Sequence, residues 1–200
     1  MSFASVTLDF GDAPLFSDLS LSVQPGQLIW LQGKNGTGKT SILRLSAGLL
    51  RPLNGILSHE LAGFQTGPEK LVSYQSHKDS FEPVLTVGEE LSFWAELYDY
   101  TEPIIDLLHM IGLKDQLESK IQTLSAGQKR RLSMARLLMA DRPLWLLDEP
   151  KAGLDFQGQE LIETLIANHL NRGGAAMVAS HNPIKIIGRQ VRKLLLETRS

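Results

Sequence analysis

The chain has 200 residues, 42% hydrophobic and 21% charged, with 20 basic residues against 22 acidic ones and no cysteine. Those proportions are those of a soluble globular domain, and they exclude disulfides, thiolate metal sites and cysteine nucleophiles. No block of like charge marks nucleic acid or an anionic membrane surface as a partner, so neither is expected.

Residues 1–16 lack a basic start and carry Asp9, Asp12 and Pro14, so they do not read as a signal peptide. Val6, Leu8 and Phe10 alternate with polar residues, Gly11-Asp12 turns the chain, and Leu19, Leu21 and Val23 alternate again, as two β-strands do. After the turn Gln24-Pro25-Gly26, Leu28-Ile29-Trp30-Leu31 is a short continuous apolar run, the pattern of a buried strand. A glycine-rich loop follows, then a helix expected from Thr40 to Leu50, closed by Arg51-Pro52. Residues 53–75 read as short strands and turns.

Near residue 83 the texture becomes helical. Thr86 with Glu89 makes a capping box, Pro103 opens a second helix that Gly112 ends, and Ser125 with Gln128 opens a third running to Ala140. Strand texture returns at residues 144–147, a long amphipathic helix spans about 157–171, and strands are expected at 175–179 and 191–196. The longest wholly apolar runs are strand-sized, far short of the roughly 20 residues of a membrane helix, so no direct membrane insertion is expected. The pattern predicts one α/β domain over 1–200, with a core of 1–75 and 125–200 interrupted by a helical insertion at 76–124.

Gly33-Lys34-Asn35-Gly36-Thr37-Gly38-Lys39-Thr40, followed by Ser41, fits G-x-x-x-x-G-K-[ST] between a buried strand and a helix. The glycines let backbone N–H groups turn toward phosphate oxygens, and the helix start adds its positive end. Lys39 can reach the β- and γ-phosphates, and the Thr40 hydroxyl suits Mg²⁺. A chance glycine turn is the plain alternative; a dinucleotide fold does not explain Lys39-Thr40.

Leu144-Trp145-Leu146-Leu147-Asp148-Glu149-Pro150 is an apolar strand ending in two carboxylates. In open α/β sheets ligands collect at the carboxyl ends of strands. Asp148 is thereby placed to hold Mg²⁺, and Glu149 to orient or deprotonate an attacking water. Alone, Asp-Glu-Pro is equally a turn that ends a strand.

Leu124-Ser125-Ala126-Gly127-Gln128, then Lys129-Arg130-Arg131, lies about 20 residues before that acidic end. By itself it is a capped helix with a basic solvated face. Together with the two preceding motifs it resembles the signature of ABC ATPases, and the resemblance spans essentially the whole chain. It implies a P-loop ABC-type core with a mixed sheet, an N-terminal antiparallel β part and a helical subdomain. It also implies ATP and Mg²⁺ as ligands. Gln75 matches the glutamine that touches Mg²⁺ and the nucleophilic water, so Gln75 joins Thr40 and Asp148 as a metal-side candidate. Ala152-Gly153-Leu154-Asp155 matches the D-loop, with Asp155 acting across a dimer. His181 matches the switch histidine at the γ-phosphate, and Phe10 the aromatic that stacks on adenine, with plain core as the alternative for Phe10. His59, His77, His109 and His169 match nothing and read as surface or helix-face residues; Trp30 and Trp145 read as core.

Two positions depart from the family pattern. Ala126 replaces the first signature glycine, which an ordinary helical backbone tolerates. Ala152 replaces the leading D-loop serine and Gly153 stands where alanine is common, which removes one inter-subunit hydrogen bond. The resemblance implies that two copies pair head to tail with ATP between them, Ser125, Gly127 and Gln128 of one closing the site of the other.

Thr86-Val87-Gly88-Glu89-Glu90-Leu91-Ser92-Phe93-Trp94, the alanine-containing signature and residues 143–150 resemble a narrower group, the ATP-binding subunits of haem exporters in cytochrome c maturation. That implies multi-pass membrane partners and a peripheral place on the cytoplasmic face of the bacterial inner membrane. An ATPase of another small exporter and a non-transport ABC-type regulator are the alternatives.

Overall fold

The structure is a computed structural model that describes residues 1–9, 11, 14–61, 63–78 and 80–196. In chain order, β1 (Ser2–Asp9) and β2 (Pro14–Ser22) precede β3 (Leu28–Gln32) and α1 (Lys39–Ser46). β4 (Asn54–Ser58) returns to β1 and completes an antiparallel sheet of order β2-β1-β4. β5 (Glu60–Leu61) and β6 (Phe64–Gln65) form a small hairpin before the short helix α2 (Pro68–Leu71) and β7 (Val72–Gln75). Next come α3 (Val87–Leu97), α4 (Ile104–Met110) and two 3₁₀ turns, then α5 (Ala126–Ala140). β8 (Leu144–Asp148), α6 (Phe156–Asn171), β9 (Ala175–Ala179) and β10 (Arg192–Leu195) follow.

The central sheet has the order β10-β3-β9-β8-β7 and every pair in it is parallel. Parallel strands are covered on both faces, which is why β8 and β9 are buried along their whole length and apolar throughout except for Asp148 at the end of β8. Side chains alternate across the sheet and divide the core in two. Leu28, Trp30, Trp145, Leu147, Ala176 and Val178 pack toward α3, α4, α5 and α6. Ile29, Leu31, Leu144, Leu146, Met177 and Ala179 face α1 and the antiparallel sheet. Parallel and antiparallel strands thus occur together, as the α/β reading required, but in separate sheets.

Helix boundaries follow their caps. Both capping boxes form: Thr86 Oγ1 accepts from Glu89 N–H and Glu89 accepts from Thr86 N–H, and Ser125 with Gln128 repeats the exchange. The first helix stops earlier than its sequence pattern suggests. Gly48 takes φ +73°, its N–H bonds Leu45 O and the Leu49 N–H bonds Arg44 O, a Schellman closure that stops α1 at Ser46.

Two of the histidines read as surface or helix-face residues are buried, His169 on the inward face of a helix. His59 bonds Ser46 O at 2.7 Å, and His169 stacks on Trp145 at 4.1 Å between ring centres, 8° from parallel. The inward face of α6 carries His169, and the indole opposite supplies the flat apolar surface an imidazole can share.

Candidate functional site

The strand-to-helix connection 33–38 is shaped by its glycines. Gly33, Gly36 and Gly38 have φ of 153°, 82° and 95°. A Cβ on Gly33 would lie 2.5 Å from Thr37 Oγ1 and 2.6 Å from Leu196 O, so only glycine fits there. Thr37 Oγ1 donates to Lys34 O at 3.0 Å, and Lys39 Nζ donates to Gly33 O and Lys34 O at 2.7 and 2.9 Å. The ammonium group is therefore held in the mouth of the loop, at the positive end of α1.

Across from the loop, β8 delivers Asp148 and Glu149. Thr40 Oγ1 donates to Asp148 Oδ2 at 2.8 Å. Glu149 takes φ +50°, a left-handed backbone that costs a residue with a Cβ about 1–2 kcal/mol. The surroundings hold it: its N–H bonds Ala179 O at 2.8 Å, and its carboxylate accepts from His181 N–H at 3.1 Å and from Ser180 Oγ at 3.4 Å. His181 Nε2 lies 2.8 Å from Asn35 Oδ1, so with that oxygen as acceptor Nε2 carries the proton. It also lies 3.7 Å from Glu149 Oε1.

These groups surround one open cleft of about 570 Å³, lined by Asn35, Gly36, Gly38, Lys39, Thr40, His77, Asp148, Glu149, Ala152, His181 and Asn182. The donor set suits a Mg²⁺–triphosphate. A hydroxyl and a carboxylate, both hard oxygens, meet at one point beside backbone N–H groups and a lysine, and Mg²⁺ takes one or two carboxylates plus substrate phosphates. Among the described residues no group of three or more His, Cys, Asp or Glu is placed to hold a metal ion.

Other sequence candidates lie elsewhere. Gln75 is only 4% exposed and is absent from the cleft wall; its amide donates to Ser133 Oγ of α5. The register accounts for this. Gln75 pairs with Leu147, one residue short of Asp148, and shares that residue's face toward α5. Ser125 and Gln128 cap each other at the start of α5, and a Cβ on Gly127 would lie 3.2 Å from Gly153 O, so signature and D-loop touch. None of the three lines the cleft. Asp155 caps α6, accepting from Gly158 N–H at 2.8 Å. Lys34 and Ser41 flank the cleft-lining residues in sequence, and Phe10 lies outside the described residues.

Sequence reasoning missed His77, which lines the cleft, and Arg130, expected on a solvated face but only 4% exposed. Arg130 donates to Ser76 O at 3.0 Å and His77 O at 2.6 Å. The available signal for His77 was its position: two residues past the end of β7, it clears the sheet edge.

The chain matches the family model described as ABC transporter over residues 16–152. It is 42% identical over 185 residues to the cytochrome c biogenesis ATP-binding export protein CcmA of Rhodopseudomonas palustris (strain BisB5), covering 91% of this chain and 92% of that one. To the protein of the same description from Nitrobacter winogradskyi it is 40% identical over 183 residues, with the same coverage of 91% and 92%. In fold it resembles an ABC transporter ATP-binding protein from Pyrococcus furiosus, with TM-score 0.83 at 22% identity over 98% of this chain and 96% of that chain. It also resembles the ATP-binding cassette MJ0796, solved as a dimer in a post-hydrolysis state with ADP and Pi, with TM-score 0.76 at 21% identity over 90% and 88% of the two chains. The chain belongs to the ABC transporter family, as one of its ATP-binding and ATP-hydrolysing subunits.

Proposed function

We propose that this ATPase powers a membrane exporter of cytochrome c biogenesis, moving haem or releasing a haem-loaded chaperone, from a peripheral position on the cytoplasmic face of the bacterial inner membrane. The observation that carries it is identity of about 40% over nine-tenths of the chain to export proteins of that description, together with a cleft that collects Lys39, Thr40, Asp148, Glu149 and His181.

ATP lies with its phosphates against the N–H groups of the glycine loop, and Lys39 exchanges its two loop carbonyls for the β- and γ-phosphate oxygens. The Thr40 hydroxyl and Asp148 would hold Mg²⁺, which would supply positive charge against the β- and γ-phosphates. Glu149 holds a water in line with the γ-phosphorus and accepts its proton as the new P–O bond forms and the bond to ADP breaks. His181 donates from Nε2 to the γ-phosphate, trading its Asn35 acceptor for a phosphate oxygen.

Each chain carries half of a complete site. Ser125, Gly127 and Gln128 are absent from their own cleft wall, and a second copy supplies them across a two-fold axis, with Asp155 at the seam. No helix among the described residues is long and apolar enough to cross a membrane, so multi-pass partners supply the path. Their docking face is the groove beside α3: Trp94 and Tyr98 stack at 5.6 Å along its wall, and Phe93 and Leu97 are more than half exposed next to it.

The test is purification of the Glu149→Gln protein with ATP from gently solubilised host membranes, with identification of what accompanies it. Multi-pass maturation proteins carrying a haem absorption band are the expected companions. A different permease would remove haem from the reading, and purely soluble companions would remove transport.

A further inference from the structure

Two side chains outside the cleft wall tie together the segments that carry Glu149 and His181. Residues 149–155 leave the end of β8, pass the cleft wall at Ala152 and reach the cap of α6 at Asp155. Within that stretch Lys151 is absent from the wall and only 7% exposed. Its ammonium donates to Glu163 Oε1 of α6 at 2.8 Å and to Pro183 O at 2.6 Å. Glu163 Oε1 accepts a second bond, from Lys185 N–H at 3.0 Å.

The chain after β9 is gripped at successive points. Ser180 O accepts from the Trp30 indole at 2.9 Å, His181 N–H donates to Glu149, Pro183 O accepts from Lys151, and Lys185 N–H donates to Glu163. Pro183 has no N–H, so its carbonyl is the one backbone group by which the loop can be held at that residue. The spacing of the contacts is regular. Glu149 meets His181, and two residues further along both segments Lys151 meets Pro183. These two rungs fix the alignment of one segment against the other.

Taking an ammonium and a carboxylate out of water is costly, and apolar side chains of similar volume would join the two segments as firmly. What the charged pair adds is direction: the ammonium must aim at one carboxylate oxygen and one carbonyl at once. We propose that Lys151, backed by Glu163, is a positioning residue for ATP hydrolysis that sets the His181 imidazole at its working distance from Glu149. The proposal rests on the reading of Glu149 and His181 as the groups that act on the attacking water and the γ-phosphate.

The experiment is a double-mutant cycle on the full chain, read as kcat, KM for ATP and melting temperature. Lys151→Met keeps an unbranched side chain and removes the ammonium. Alone it lowers kcat by about tenfold, the scale of a displaced catalytic group, and leaves KM within about threefold, because Lys151 is not on the wall that holds nucleotide. His181→Ala lowers kcat by roughly 10- to 100-fold. With the imidazole gone there is nothing left to position, so adding Lys151→Met then costs less than about twofold. Lys151→Met combined with Glu163→Gln removes both charges, leaves none unpaired in the interior, and gives the same pattern with a melting temperature near the parent's.

Parent-like kcat in both Lys151 variants would overturn the proposal. So would a tenfold loss repeated in full on top of His181→Ala, which is the mark of a general effect on the fold. A raised KM with kcat unchanged would overturn it too, and failure of both variants to fold would make the pair a requirement of the fold instead. If His181→Ala hydrolysed ATP like the parent, the reading of His181 would fall and the proposal with it. A slow His181→Ala beside a parent-like Lys151→Met sinks the proposal alone.

Discussion

Thr40 and Asp148, 108 positions apart in sequence, meet in a hydroxyl-to-carboxylate hydrogen bond of 2.8 Å. One stands in the first turn of α1 and the other at the last residue of β8, so the bond joins the phosphate loop to the acidic edge of the sheet. It brings together the two oxygens that a Mg²⁺–triphosphate needs on the protein side.

Asp148→Asn separates the charge from the contact. The asparagine oxygen can still accept from Thr40, so the fold is kept, but the carboxylate is gone. ATP affinity measured with a fluorescent analogue in Mg²⁺ is expected to weaken by about tenfold or more, the scale of a lost partner in a metal's surroundings. In EDTA the parent and variant converge. Equal weakening with and without Mg²⁺ would assign Asp148 to the fold alone.

Glu149→Gln removes the proton acceptor and keeps the shape. The amide oxygen can still accept from His181 N–H, which at 3.1 Å holds the side chain toward the cleft. Turnover is expected to fall by roughly 10²–10⁴-fold with ATP binding retained. An ATP-bound dimer should accumulate on a sizing column, because the site stays closed when hydrolysis stops. Near-normal phosphate release would take Glu149 out of the role of base.

The parts of this site that the sequence shows are the parts that local chemistry dictates. The glycine loop, the two capping boxes and the apolar strand before Asp148 each need particular residues within a few positions of one another, so their spacing is readable. Which side chains beyond the end of β7 reach the cleft is not legible, because it depends on register against β8, a relation between residues some 70 positions apart. The run Lys129-Arg130-Arg131 taken by itself reads as a solvated face, and helix periodicity says only which residues share a side. It does not say that carbonyls 53 and 54 residues earlier will be waiting there. His169 shows the same limit, since its partner Trp145 comes from the sheet.

His169 also gives the fold a pH dependence. Burial pushes its pKa down, against the carbonyls of Ala175 and Pro143, which pull it up; Arg172 nearby lowers it and Asp141 raises it. Above its ordinary value of about 6.5 the ring is neutral in both folded and unfolded chains and contributes no slope. Below that value the unfolded chain binds a proton that the folded chain resists, so stability falls as the pH drops from about 6.5 toward the lowered folded value. Melting temperature measured from pH 8 to 5 should decline over the acid part of that range, and His169→Gln should flatten the decline. An unchanged profile in the variant would mean the slope comes from other groups.

The exposed rim of α3 separates docking from catalysis. Phe93 and Leu97 are 58% and 57% exposed, and they stand one turn apart on the helix that carries Trp94. Glu90 bonds the Trp94 indole at 2.8 Å and pairs with Arg136, whose guanidinium lies 4.4 Å from the Phe81 ring centre and 4.3 Å from that of Trp94. The helix is therefore anchored from beneath while Phe93 and Leu97 face outward; polar substitution gives up the edge-on contact of Phe93 with Trp94 at 5.4 Å but leaves the Glu90–Trp94–Arg136 contacts in place. Phe93→Ser with Leu97→Ser is expected to leave the melting temperature and the ATP affinity of the isolated chain as they were. The same pair should abolish co-purification with the membrane partners, because apolar anchors at the centre of an interface carry most of its binding energy, on the order of 2 kcal/mol or more each. Undiminished recovery of those partners would move the docking face elsewhere on the molecule.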